Sequence, residues 1–308
     1  MNARIRSYIN NNYSDPSLIP GLLLAVGAAL GFSIKAIFVK LAYNYDVDAI
    51  TLLLFRMAFA LPLFVVIAIR EEHRATAPVG LRNLLMIALL GLIGYYLSSL
   101  LDFTGLQYIT AGLERLILFI YPTIVVIISA LCFGKRIARE AVIALLLSYT
   151  GIAFAMYHDL QLSGEFTVLG SLLIFAATVS YSLFLVGSGE MIPRVGARRF
   201  TAYAMIVSCL AVFLQFALLR DVSDLRQPLP VYGYGLAMAL FSTVIPSILL
   251  ASAIQRIGAG TTSIIGALGP VATIAMAALV LNEPLSWMQV VGALFVITGI
   301  MALGVKKS

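Results

Sequence analysis

The sequence predicts an all-α integral membrane protein in which ten transmembrane helices form two inverted five-helix repeats. Three observations lead to this fold class: high apolarity, an internal duplication and an uneven distribution of Lys and Arg. Of the 308 residues, 61% are hydrophobic and only 11% are charged, whereas a soluble domain carries about 25% charged residues. A water-soluble fold cannot cover so much apolar surface, so we expect the chain to lie in a lipid bilayer.

Ten apolar stretches are predicted to cross that bilayer, because a helix needs about 20 apolar residues to span the hydrocarbon core. The predicted spans are 19–41, 49–69, 82–103, 111–132, 140–157, 168–190, 200–219, 232–254, 261–281 and 287–305. We expect residues 1–18 to form a cytoplasmic N-terminal segment. The first repeat is predicted at 19–158 and the second at 168–305.

The two halves of the chain repeat one another. A shift of 148 residues places Pro122 on Pro270, and a shift of 149 residues places Gly21 on Gly170. Self-similarity on this scale in an apolar chain is typical of transporters that are built from two structural repeats.

The basic residues predict the orientation, because Lys and Arg collect in the cytoplasmic loops of membrane proteins. One set of alternate connections holds fourteen basic residues: Arg4, Arg6, Arg70, Arg74, Arg82, Lys135, Arg136, Arg139, Arg194, Arg198, Arg199, Arg256, Lys306 and Lys307. The other set holds three: Lys40, Arg220 and Arg226. Both termini should therefore be cytoplasmic. Five spans per repeat then make the second repeat enter the membrane from the opposite side.

The repeated residues resemble the drug/metabolite transporter superfamily and, within it, the EamA family. The matching positions are Gly105-Leu106, Ala111, Pro122, Gly151, Ala259, Pro270, Glu283-Pro284-Leu285, Gly292 and Gly299. The first half departs at Lys135, where a Glu is common, and at Gly31-Phe32-Ser33, where many members carry a tryptophan. The resemblance implies a carrier of the inner (plasma) membrane that works by alternating access, most often as an exporter of amino acids or related metabolites.

Ionisable residues inside the spans indicate where function resides, because a charge at the bilayer centre costs about 2.5–3.5 kcal/mol on insertion scales. Five of them belong to the first four spans, and we expect all five in the outer half of the membrane: Lys35, Arg56, Asp102, Glu114 and Arg115. Three cations and two anions leave one positive charge, which suits an anionic or carboxylate-bearing ligand. The aligned positions of the second half carry no charge: Phe184, Met205, Leu250, Thr262 and Ser263. This asymmetry favours a functional role, since a requirement of the fold should recur in both repeats.

Helical spacing adds three candidates for substrate binding or coupling. Tyr95 and Ser98 share a face of the third span with Asp102, and Tyr121 shares a face of the fourth with Glu114.

The two matched prolines are candidates for gating. Pro122 and Pro270 each remove a backbone hydrogen bond and should free the carbonyls of Leu118 and Gly266. They are either bending points during gating or fixed kinks that serve packing.

Each embedded charge also has a structural interpretation. In this interpretation, Lys35 extends its amine outward and only pairs with a carboxylate, and Arg56 forms a structural ion pair with Asp102. Glu114 would serve to complement the helix dipole near the start of its helix. Arg115, which points about 100° away from Glu114, would reach the lipid headgroups.

The leading functional prediction is a secondary active transporter for a small organic metabolite, with proton coupling through Asp102 or Glu114. One alternative is an exchanger of phosphorylated or nucleotide-linked sugars, in which Lys35, Arg56 and Arg115 bind phosphate; a channel or a receptor is another. The sequence contains no Walker-type loop, zinc motif or nucleophile–base set, so we expect a non-enzyme without cofactor or metal. The expected partners are the substrate, the bilayer and protons, and the net charge of +6 does not require nucleic acid.

Overall fold

The computed structural model describes residues 18–75, 77–133, 166–266 and 268–283, with the isolated positions 146, 150, 287, 290, 291, 294, 295 and 298. Within these residues every regular element is a helix. Six helices are long and apolar enough to cross a membrane: Ile19–Tyr43, Ala49–Arg74, Leu81–Gly105, Thr167–Val195, Ala197–Leu219 and Leu229–Ala259. For the described part of the chain, the prediction of an all-α multi-pass membrane protein is confirmed. Apart from the isolated positions, the predicted spans 140–157 and 287–305 lie outside the described residues, so the count of ten stays a prediction.

The helical elements follow one another along the chain with short connections. They are α1 (Leu18–Ser33), α2 (Lys35–Tyr43), α3 (Ala49–Arg74), α4 (Leu81–Gly91), α5 (Ser98–Gly105), α6 (Ala111–Leu118), α7 (Tyr121–Phe133), α8 (Thr167–Val195), α9 (Ala197–Leu219), α10 (Leu229–Ala239), α11 (Ile245–Ile265) and α12 (Leu268–Val280). A π-helical segment, Leu92–Leu97, joins α4 to α5, and a second one, Leu240–Val244, joins α10 to α11. The 148-residue shift places these two segments on each other.

The fourth and ninth predicted spans are interrupted, whereas the sequence predicted continuous helices with proline kinks. α6 ends at Leu118 and α7 begins at Tyr121; α11 likewise ends at Ile265, and α12 begins at Leu268. Pro122 and Pro270 lie in the first turns of α7 and α12. The prediction of a free carbonyl at Gly266 is wrong, because this carbonyl accepts the Gly269 amide at 2.8 Å. The chain makes a tight turn there, in which the amide three residues ahead replaces the one that proline lacks.

Asp48 begins α3 as its N-cap. Its carboxylate accepts hydrogen bonds from the amides of Ile50 (2.9 Å) and Thr51 (3.2 Å) and from the Thr51 hydroxyl (2.5 Å). Partial burial acts to raise the pKa of Asp48, but the hydrogen bonds from Thr51 and the guanidinium of Arg220 together hold this pKa below its usual value. The carboxylate is thus fixed in its charged form at the start of the helix, where it suits the helix dipole.

Ion pairs join α3 and α9 at both ends. Asp48 at the start of α3 lies 3.1 Å from Arg220 at the end of α9. At the other end, Arg199 donates to Glu72 through Nε (2.5 Å) and Nη2 (2.8 Å), and the Tyr203 hydroxyl also contacts Glu72. The two helices therefore run antiparallel, and each pair joins connections that the basic residues had assigned to the same side of the membrane.

Close helix contacts depend on small residues. Gly31 of α1 faces α11, where an added Cβ would overlap Pro246 and lie 3.0 Å from the Phe241 carbonyl oxygen. Gly105 of α5 and Gly170 of α8 face each other, since a Cβ on either would lie 3.0 Å from the carbonyl oxygen of the other. Such contacts let helix backbones approach closely in membranes, and they hold the helices around a common cavity.

Candidate functional site

A cavity lies between helices of both repeats. Its volume is about 120 Å³. One water needs only ~10–15 Å³ by the same measure, so the cavity can hold several waters or a small organic molecule. Four of the five predicted charges line it: Lys35, Arg56, Asp102 and Arg115. The fifth, Glu114, is completely buried behind them. The structure thus brings together the charges that the sequence had singled out in the first four spans.

Lys35 lies between two carboxylates. Its Nζ donates to Oδ2 of Asp102 at 2.5 Å and lies 3.1 Å from Oε1 of Glu114. The side chains are 13%, 3% and 0% exposed, respectively. The contact with Glu114 is an ion pair but not a hydrogen bond, so both Glu114 oxygens are buried without a hydrogen-bond partner. Oδ1 of Asp102 is also buried without one. One ammonium therefore faces two carboxyl groups, and the cluster carries a formal charge of −1 when both are ionised.

Arg56 has a different environment. Its Nη2 donates to Oγ of Ser99 at 2.7 Å, and its Cζ lies 4.8 Å from the centroid of the Phe103 ring, which is within the range of a cation–π interaction. The interpretation of an ion pair between Arg56 and Asp102 is wrong, because the carboxylate of Asp102 pairs with Lys35 on α2. Arg56 is buried, and its Nε has no hydrogen-bond partner.

Arg115 also faces the cavity and has no carboxylate partner among the described residues. Its Nη2 donates to Oγ of Ser33 at 3.2 Å. The Ser33 hydroxyl in turn lies 2.6 Å from the Ala29 carbonyl oxygen and 3.2 Å from that of Gly269. The guanidinium is therefore held between α1 and α12, inside the protein, and Arg115 lines the cavity instead of reaching outward.

Glu114 lies in the first turn of α6, as the helix-dipole interpretation expected, and two further residues complement the same helix start. Thr110 is the N-cap and accepts the Leu113 amide at 3.1 Å. The carboxylate of Glu283 accepts the amides of Ala111 (3.0 Å) and Gly112 (3.4 Å). The sequence identified Glu283 only as a family position; the structure shows that it caps a helix of the other repeat and leaves Glu114 directed at Lys35.

The polar and aromatic candidates lie on the same cavity. Tyr95, Ser98 and Tyr121 all line it, and Ser98 is fixed by a hydrogen bond to the Ala177 carbonyl (3.1 Å). Sequence reasoning missed Tyr181, whose ring stands edge-on to Tyr121 with centroids 5.6 Å apart. It also missed Ser99, which lines the cavity directly after the π-helical segment Leu92–Leu97. No simple sequence signal marks that segment.

The second repeat supplies an uncharged wall. Met205, Leu250 and Thr262 line the cavity, and they are the aligned counterparts of Arg56, Asp102 and Glu114. Alignment of the two halves of the sequence would therefore have predicted that these three residues lie on the cavity wall. Pro122 is not among the described residues that line the cavity, and a gating role for Pro122 and Pro270 stays a prediction.

No group of three or more His, Cys, Asp or Glu side chains among the described residues could hold a metal ion.

Comparison with known families gives two matches, at residues 19–157 and 168–305, both to the EamA-like transporter family. The chain belongs to the EamA-like transporter family. The resemblance that the sequence suggested is thereby confirmed.

This EamA-like transporter is similar to relatives known only as uncharacterized transporters. YcbK of Bacillus subtilis (strain 168) is 31% identical over 288 residues, which cover 90% of this chain and 91% of YcbK. A protein of Methanothermobacter thermautotrophicus is 24% identical over 274 residues, 85% of this chain and 76% of that protein. A solved structure, described only as the crystal structure of a protein, has a TM-score of 0.67 at 15% identity, with 92% of this chain and 96% of the other covered; it shows the fold alone.

Proposed function

We propose that this EamA-like transporter is a secondary active carrier for a small organic molecule that bears a carboxylate, such as an amino acid or a related metabolite. The charge distribution on the cavity wall carries the proposal. The Lys35 ammonium is occupied by two carboxylates, whereas Arg56 and Arg115 have no carboxylate within 4.0 Å among the residues described. Two guanidinium groups on one cavity suit a carboxylate, which they can bind through paired N–H donors.

The rest of the cavity supports a small substrate. Asp102 places one carboxylate on the wall, which suits the amino group of a zwitterion and opposes a doubly charged phosphate. A cavity of about 120 Å³ can hold a small organic molecule. The Asp102 carboxylate favours an amino acid or monocarboxylate over the phosphorylated sugars of the alternative hypothesis.

We further propose alternating access between two inverted repeats in the inner (plasma) membrane, with both termini cytoplasmic and export as the net direction. Equivalent π-helical segments and equivalent helix interruptions in the two halves support the paired architecture. The excess of basic residues in one set of connections supports the orientation. Reporter fusions at both termini and efflux from preloaded cells test orientation and direction; a periplasmic C-terminus would contradict the assignment.

Flux in proteoliposomes tests the substrate class. The labelled probes are L-alanine, pyruvate and glucose 6-phosphate, and the variants are Arg56→Gln and Arg115→Gln, with the exposed Arg82→Gln as the matched control. We expect saturable flux of L-alanine or pyruvate and about a tenfold loss of apparent affinity in each cavity variant, since each loses a charge-assisted hydrogen bond. Glucose 6-phosphate flux alone, or ion current without saturable flux, would contradict the proposal.

Proton coupling is the second part of the proposal, and it rests on the two carboxylates that share Lys35. Binding of a proton to Asp102 or Glu114 would change the charge of the cluster between −1 and 0, which links protonation to the charge of the bound molecule. We expect a pH gradient to drive flux in the unmodified protein, and Asp102→Asn or Glu114→Gln to abolish that dependence. An unchanged response to the gradient in both variants would reject coupling through these residues.

A further inference from the structure

The interruption between α11 and α12 brings the backbone of the second repeat against a charged side chain of the first. A Cβ built on Gly269 would overlap Nη2 of Arg115 and would lie 3.0 Å from Cζ and 3.0 Å from Nε of the same residue. All three of these atoms belong to the guanidinium group of Arg115. The Arg115 guanidinium thus occupies the space that a side chain at position 269 would need.

The backbone of Gly269 does not itself require glycine. Only Gly196 and Gly258 have positive φ among the described glycines, so any L-residue could adopt the conformation at 269. The aligned position of the first repeat is Tyr121, which shows that the scaffold accepts a large side chain there. Glycine at 269 is therefore explained by the space that Arg115 takes.

Ser33 fixes the guanidinium in this space. Its hydroxyl accepts from Nη2 of Arg115 at 3.2 Å and lies 3.2 Å from the Gly269 carbonyl oxygen. The Thr273 hydroxyl donates to the Ser33 carbonyl at 3.1 Å and holds α12 against the end of α1. Nε of Arg115 is buried and has no hydrogen-bond partner. The contacts position the guanidinium at the cavity without neutralising its charge.

We propose that Gly269 is a positioning residue that allows Arg115 to stand at the cavity, and that Arg115 in this position selects substrates that bear a carboxylate. The inference rests on the proposed transport of a carboxylate-bearing molecule. It assigns a joint role to one residue from each repeat: the first repeat contributes the charge, and the second contributes the space. At the aligned positions the residue sizes are reversed. Ser263 is small where Arg115 is large, and Tyr121 is large where Gly269 is small.

The substitution Gly269→Ala tests this inference without removing the charge. The methyl group would push the guanidinium away from Ser33, and because the end of an arginine side chain is flexible, we expect the protein to fold with an unchanged melting temperature. Gly189→Ala is the matched control, since a Cβ at Gly189 would lie at an ordinary 3.7 Å from Ala259.

The first readout needs no substrate. The purified full-length variants are treated with phenylglyoxal, and the modification rate of Arg115 is followed by peptide mass spectrometry. We expect Arg115 to react about tenfold faster in Gly269→Ala than in the unmodified protein or in Gly189→Ala, because the displaced guanidinium is no longer held by the hydrogen bond to Ser33. Equal rates in all three proteins would overturn the positioning role.

The second readout is the protection of Arg115 from phenylglyoxal by pyruvate. We expect half-protection of Gly269→Ala to need about tenfold more pyruvate than half-protection of the unmodified protein. In proteoliposomes we expect Gly269→Ala and Arg115→Gln to raise the half-saturating pyruvate concentration similarly, and the double variant to be no worse than either. Faster modification without any pyruvate protection of the unmodified protein would overturn the role of Arg115 in carboxylate selection. Impaired transport in Arg115→Gln with normal transport in Gly269→Ala would overturn the role of Gly269 and leave the proposed function intact.

Discussion

Replacing Lys35 by methionine would remove the one cation that lies between two buried carboxylates. Asp102 on the cavity wall and the buried Glu114 would then have no ammonium between them to offset their charges. Methionine has nearly the length and apolar volume of the lysine side chain, so the substitution changes charge far more than packing. We expect the protein to fold less stably and to unfold at a lower temperature.

The distances give the magnitude. At an effective dielectric constant of about 20, opposite unit charges at the 2.5 Å and 3.1 Å separations in this cluster attract by roughly 7 and 5 kcal/mol. Most of this attraction offsets the cost of taking the three charges out of water, so removal of one partner from a buried ion pair destabilises by about 3–5 kcal/mol. This is several times the effect of removing an exposed charge.

Thermal unfolding of the purified protein in detergent checks the prediction, with Arg82→Met as the exposed control. The diagnostic variant is Lys35→Met combined with Asp102→Asn and Glu114→Gln, which removes the uncompensated carboxylates. We expect this triple variant to recover most of the melting temperature that Lys35→Met loses. A Lys35→Met protein as stable as the Arg82→Met control would refute the reasoning, and so would a triple variant less stable than Lys35→Met alone.

Three further predictions concern the scaffold. Asp48→Ala should lower the free energy of unfolding by about 1–2 kcal/mol through loss of the N-cap. Because the pKa of Asp48 is held low, the full difference in stability should be present above about pH 4 and should shrink as the pH falls through the lowered pKa. Melting temperatures measured across this pH range check the prediction. Glu283→Ala should cost about 1 kcal/mol by leaving two N-terminal amides of α6 without a charged acceptor, and Glu283→Gln should cost less in the same melting assay. Gly31→Ala should destabilise by about 1–3 kcal/mol through overlap with Pro246. Gly233→Ala, where nothing lies within 4 Å, should unfold at no lower a temperature than the unmodified protein, because alanine favours a helix more than glycine does.

The sequence predicted the charged part of the site because charges stand out in an apolar chain. Lys35, Asp102 and Arg115 are each expensive inside a span, so their presence alone indicated a common cavity. Their pairing could not be predicted in the same way. Helical faces give direction only within one helix, and the choice of Lys35 over Arg56 as the partner of Asp102 depends on how three helices pack.

The uncharged part of the site was less visible. Met205 and Leu250 are ordinary residues for a membrane helix, and only their alignment with charged positions of the first repeat marks them. Tyr181 and Ser99 lack even that signal. The π-helical segments and the interruption before α12 arise from tertiary packing and local backbone turns, which hydrophobic periodicity does not encode.

Glu283 shows the reverse case. Its resemblance to a family position was visible in the sequence, but its physical role was not. The carboxylate reaches across to α6 of the other repeat, so its partner is 172 residues away along the chain. A contact of that separation leaves no local pattern.

The one-sided charge of the cavity has a consequence for the transport cycle. In a carrier with inverted halves, the two access states arise when the halves exchange conformations, and a symmetric site would bind its ligand equally in both. Here the guanidinium groups belong only to the first repeat and the facing positions of the second are uncharged, so the ligand would keep its charged end on the same half throughout. In the proposed alternating-access cycle, the inward-facing and outward-facing complexes would then be different chemical environments. The half-saturating substrate concentrations on the two sides of the membrane would differ, while the gradients would still set the net direction of transport.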